Sequence, residues 1–143
     1  IARSNADQGL PALGAVLPDA ACSVLGSPPG RPGSIKRVRD LLGEQFVALL
    51  MVTGEEQAAS AAVRASRLSW AAPCHVALLG APRPLAGVTV LTDPRGELQR
   101  IFGGSGSYAF LVRPDGHLAA RVPLPRAEAV DALPGLQARA IGA

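Results

Sequence analysis

Aromatic residues are scarce in this chain of 143 residues: three phenylalanines, one tyrosine and one tryptophan make up 3% of it. It therefore lacks the platform on which nucleobases stack. Lysine is scarcer still, since Lys36 stands alone beside scattered arginines that are interspersed with acids. A net charge of +3 does not, in that arrangement, make a basic stripe, and nucleic acid is not an expected partner. Long hydrophobic runs are also missing. The longest, Phe46 to Val52, is far short of the about 18–20 residues of a membrane span and suits a buried strand. No membrane partner is expected. Two cysteines, Cys22 and Cys74, do not make a disulfide framework, which fits a reducing cytoplasm. No signal peptide is recognisable, and the only methionine is Met51. A processed product or a fragment is expected, and residues 1–6 read as a cloning remnant or disordered segment outside the fold.

What the chain has in quantity is aliphatic side chains. At 48% hydrophobic residues it can bury a core, and a single domain is expected over residues 7–143. Pro18-Asp19 turns into a short edge strand within Ala20 to Leu25, and a Pro/Gly loop follows from Gly26 to Gly33. Ser34 is placed to cap a helix whose Ile35, Val38, Leu41 and Leu42 share a face, with Gly43 ending it. Phe46 to Val52, apolar on both faces, reads as a central strand with a parallel neighbour. After Thr53-Gly54-Glu55-Glu56, a helix puts Ala58, Ala61, Ala62, Ala65 and Leu68 on one face and Ser60, Arg64 and Arg67 on the other. His75 to Leu79 is the next strand, ended by Gly80 and Pro82, while Val88 to Leu91 is apolar but equally compatible with strand or coil. Asp93 and Pro94 have the chemistry of a helix cap and first helical residue.

The chain is organised around Tyr108 to Arg121. There an apolar run, a Pro114-Asp115-Gly116 turn and a second short strand follow one another. Two runs so close together predict an antiparallel hairpin. Gly103 to Ser107 leads into it as a flexible connector. From Pro125 a covering helix runs through Ala127, Val130 and Leu133, broken or kinked at Pro134. The fold class expected is α/β, a mixed sheet flanked by helices.

That order resembles the thioredoxin fold. Leu91 to Gly103 and Ala109 to Gly116 are similar to the back half of peroxiredoxins. Leu17-Pro18-Asp19, Asp40-Leu41-Leu42-Gly43, Phe46-Val47-Ala48-Leu49-Leu50 and Leu111-Val112-Arg113-Pro114-Asp115-Gly116-His117 resemble the C-terminal domain of FAD-dependent aromatic-ring hydroxylases. The relatives in question are of the phenol hydroxylase and 3-(3-hydroxyphenyl)propionate hydroxylase type. The resemblance covers roughly residues 16–141, with Ala120-Arg121 standing where those proteins often carry Trp-Arg. It implies a thioredoxin-like domain without redox cysteines, belonging to a parent that uses FAD and NAD(P)H. It also implies the flavin-binding and substrate domains of that parent as partners, and a homodimer contact as a further one. A stand-alone peroxiredoxin-like, thiol-dependent oxidoreductase is the alternative, and a binding module without an enzymatic parent is a third reading.

The residues themselves supply no catalytic, cofactor-binding or metal site. A thioredoxin-type enzyme needs Cys-x-x-Cys at the helix start after the central strand, where the helix dipole lowers the thiol pKa. Thr53-Gly54-Glu55-Glu56 holds that place with two acids and no sulfur. Cys22 and Cys74 therefore read as structural thiols. Cys74-His75 cannot easily work as a nucleophile–base pair, because neighbours on a strand point to opposite faces. His117 and Asp115 read as turn residues, and two histidines on separate strands do not converge on a metal. Gly103 to Gly106 precedes a strand and lacks the Walker Lys-Ser/Thr, so it is not a phosphate loop. Arg113, Arg121 and Arg126 read as surface arginines, with interdomain docking as the other use. No Gly-x-Gly-x-x-Gly fingerprint occurs, so no flavin dinucleotide site is expected within the chain.

Overall fold

The computed structural model describes residues 13–24, 37–79, 84–93, 95–103 and 106–142. Six strands form one mixed sheet: β1 (Ser23–Val24), β2 (Phe46–Met51), β3 (Cys74–Leu79), β4 (Thr89–Thr92), β5 (Tyr108–Val112) and β6 (Leu118–Pro123). Their spatial order is β1-β4-β3-β2-β5-β6. β2 pairs parallel with β3 along its whole length, Phe46 opposite Cys74 through Met51 opposite Leu79. On its other side it pairs antiparallel with β5. It is buried at every position, which is why its sequence shows no alternation. The β3-β2-β5-β6 centre, a parallel pair joined to an antiparallel hairpin, is the thioredoxin-like arrangement.

The hairpin is built as its residues predict. Gly116 N–H donates to Arg113 O at 2.9 Å, and Arg113 N–H to His117 O at 2.9 Å. Gly116 has φ +88°, and a Cβ there would meet Leu42 Cδ1 at 3.3 Å. Pro114 and Asp115 form the turn proper, and the left-handed glycine closes the three-residue loop. Residues 14–17 then lie along the start of β6, with Leu118 N–H donating to Ala15 O at 2.9 Å and Leu17 N–H to Gly116 O at 2.7 Å.

The sheet divides the core in two. Val47, Leu49 and Met51 of β2 and Tyr108, Phe110 and Val112 of β5 face a layer made by Leu17, Cys22, Val38, Leu41, Leu98 and Phe102. Ala48, Leu50, Val76, Leu78 and Ala109 face the helical layer. That layer holds α1 (Glu55–Ser66), a 3-10 turn (Ala127–Ala132) and α2 (Leu133–Gly142). Ala58, Ala61, Ala62 and Ala65 of α1 are fully or almost fully buried. Their small side chains let the α1 backbone approach the sheet closely, so burial is achieved without aromatics. Gln137 of α2 is also fully buried. Its Oε1 accepts from Ala72 N–H at 3.1 Å and its Nε2 donates to Ala72 O at 2.9 Å, tying α2 to the segment before β3.

Three expectations from sequence need correction, and one that the sequence left open is decided. The helix expected at residues 35–42 is, in its described part, one 3-10 turn, Val38–Leu41. Arg37 N–H donates to Asp40 Oδ2 at 3.0 Å at its start, and Ser34 lies outside the described residues. Thr89–Thr92 is a true strand, pairing parallel with β3. The helix expected after Asp93 is short, α-helical only at residues 97–98 before it widens. Gly96 takes φ +69°, which interrupts right-handed helix at the first turn. Asp93 still caps, through Oδ1 to Leu98 N–H at 3.1 Å and Oδ2 to Gln99 N–H at 3.0 Å, and the chain winds into a wide π turn at Gln99–Gly103. Pro94 lies outside the described residues. Finally, the covering helix expected from Pro125 is a 3-10 turn that ends at Ala132, and Pro134 sits in the first turn of the separate helix α2.

Candidate functional site

In a thioredoxin-like sheet the chemistry-bearing corner is the junction between the central strand and the helix after it. Here that junction runs from β2 through Val52-Thr53-Gly54 into α1. Gly54 precedes the helix with φ +87°, and its carbonyl accepts the first helical bond from Ala58 N–H at 2.9 Å. Thr53 N–H donates to Ser107 Oγ at 2.9 Å, and the two hydroxyls lie 3.1 Å apart. Ser107 thus pins the corner to the start of β5, and Gln57 Nε2 pins the first turn to Pro125 O at 3.1 Å. Glu55 and Glu56 occupy that turn. Two carboxylates there stabilise the helix dipole and would oppose either a thiolate or a pyrophosphate. The corner fits neither a reactive cysteine nor a flavin dinucleotide. Ser107 and Gln57 brace it.

Both cysteines lie elsewhere, and both are free thiols. Cys22 immediately precedes β1 and is 3% exposed within the layer that covers one face of the sheet. Burial, reinforced by the negative field of Asp40, Asp19 and Asp93, pushes its thiol up to about 11. Cys74 begins β3 and packs against the opposite core. Burial pushes it up to about 12. Neither holds a useful thiolate fraction near neutral pH. Because they serve opposite faces of the sheet, they are not a resolving pair. The purified chain is therefore expected to catalyse no thiol-dependent reduction of peroxide or of insulin disulfides. Turnover above the blank that is abolished by Cys22→Ser or Cys74→Ser would show the opposite.

Cys74 and His75 diverge as alternation on a strand requires. His75 Nε2 lies 2.7 Å from Thr89 Oγ1 on β4, with burial holding the imidazole below its usual pKa. The only sulfur contact between the two is Cys74 Sγ to His75 O at 3.9 Å. At the hairpin tip, Asp115 accepts from His117 N–H at 3.1 Å and pairs with Arg113. His117 Nδ1 is 3.1 Å from Asp115 Oδ1, close but without hydrogen-bond alignment. The His117 backbone N–H, the Arg113 charge and the His117 ring hold the Asp115 carboxyl below its usual range. Arg113 is thus engaged, Arg121 has an interaction of its own, and Arg126 precedes the 127–132 turn. Gly106 leads into β5 and not into a helix, while Gly104 and Ser105 lie outside the described residues. Among the described residues no cluster of three His, Cys, Asp or Glu could hold a metal ion, and no helix is long and apolar enough to cross a membrane.

Sequence reasoning missed the two polar braces, Thr53–Ser107 and Gln137–Ala72. Neither has a local signature, because each joins residues more than fifty positions apart.

Comparison with known proteins bears on the fold. No family model matches the chain, and no curated protein matches it by sequence. Among solved structures it is similar to the flavin-dependent monooxygenase PieE, crystallised with FAD and substrate: TM-score 0.62 and 28% identity over 91% of this chain. It is also similar to aklavinone-11 hydroxylase, crystallised with FAD and aklavinone: TM-score 0.59 and 26% identity over 90% of this chain. The chain spans only 20% and 21% of the length of those two proteins. A peroxiredoxin-like protein from Aquifex aeolicus matches over 87% of this chain and 86% of its own, with TM-score 0.59 but 16% identity. That last likeness is one of fold alone. The chain has a thioredoxin-like fold and is similar over almost all its length to one-fifth of two FAD-dependent monooxygenases.

Proposed function

We propose that this chain is the thioredoxin-like, C-terminal domain of a larger FAD- and NAD(P)H-dependent aromatic hydroxylase, and that it contributes packing, docking or dimerisation in place of catalysis. The observation that carries the reading is the pair of likenesses at 28% and 26% identity, each confined to about a fifth of a flavoprotein. The absence of sulfur at the β2–α1 corner argues in the same direction, since a stand-alone peroxiredoxin-like enzyme would need a reactive thiol there. In the parent, reduced flavin would react with oxygen and hydroxylate the ring, chemistry that belongs to the cofactor. The flavin-binding and substrate domains of the same polypeptide are the expected partners.

Large apolar side chains left in water support a docking role. Leu13 and Val16 beside the hairpin, and Ile141 near the end of α2, are each at least half exposed. They fall in residues 10–25 and 133–141, the two segments that we propose face a partner. Leu10 and Leu25 themselves lie outside the described residues. The isolated chain is expected to self-associate or to bind a dye that reports apolar surface. Sedimentation over a concentration series, with that dye as second probe, checks it. A strictly monomeric chain that binds no dye would contradict the docking role.

A further inference from the structure

We draw no further inference here: the strongest candidate, the open groove between α1 and the 127–132 turn lined by Val63, Arg67, Leu68 and Glu128, is crossed by the bidentate Arg64–Asp131 pair that staples its two walls, and nothing in the structure shows what would occupy it.

Discussion

Phe110→Ala is expected to lower the stability of this domain by about 3–5 kcal/mol, the range for truncating a fully buried phenylalanine. Phe110 is the middle residue of β5 and is fully buried. It lies opposite Leu49 of β2 and Arg121 of β6, so its backbone is held on both sides. Its ring meets Phe102 edge-on, with centroids 5.4 Å apart at 71°, and tilts toward Tyr108 at 6.3 Å. With only five aromatic residues in the chain, three of them gather here. No other large ring on this face can swing in to fill the cavity, because the remaining two aromatics, Phe46 and Trp70, belong to the opposite layer. The loss should sit at the upper end of the range. Urea unfolding would check it: with a slope of about 1–3 kcal/mol per molar urea, the midpoint should fall by at least about 1 M. A midpoint within error of the parent's would contradict this packing.

Gln137→Leu, a near-isosteric change, is expected to cost about 1–3 kcal/mol. The substitution keeps the volume but deletes both side-chain bonds to the half-buried Ala72, each worth about 0.5–1.5 kcal/mol net. Leucine is more apolar than glutamine, so a purely hydrophobic account of α2 predicts the opposite sign. Trp70 gives a local readout. It lies two residues before Ala72, and its indole N–H donates to Ala65 O at 3.0 Å. Its fluorescence should follow the unfolding transition in both proteins, at lower urea in the variant. An unchanged or raised midpoint would show that the amide pair contributes nothing.

These two residues also show what a sequence can and cannot display. Phe110 sits in an uninterrupted apolar run beside a Pro-Asp-Gly turn, so strand, hairpin and burial were all legible at once. The same holds for Phe46 to Met51 and for the alanine face of α1, whose patterns are local. Gln137 carries no such mark. Its burial depends on a backbone segment brought close only by the fold, and a glutamine in an amphipathic C-terminal helix reads as a surface residue. The errors around residues 35–42 and 93–103 have a related cause. Capping residues announced helix starts correctly at Asp93, but the left-handed Gly96 shortened what followed. A short apolar piece such as Val88 to Leu91 lacks a period long enough to decide strand from coil, and only pairing with β3 decides it. At the β2–α1 corner the sequence was informative because the chemistry requires specific atoms: sulfur is either present or not. The brace from Ser107 that fills the corner instead required the structure.

The most direct test of the account is the native gene product, purified at its natural length and examined for bound flavin. On the proposed role, the product is a polypeptide much longer than this chain that carries FAD, with an upstream Gly-x-Gly-x-x-Gly strand–helix unit to hold it. The present chain alone is expected in parallel to be colourless and not to quench added FAD. A native polypeptide that consists of this domain alone and carries no flavin would contradict that role, as would stoichiometric FAD binding by the isolated chain.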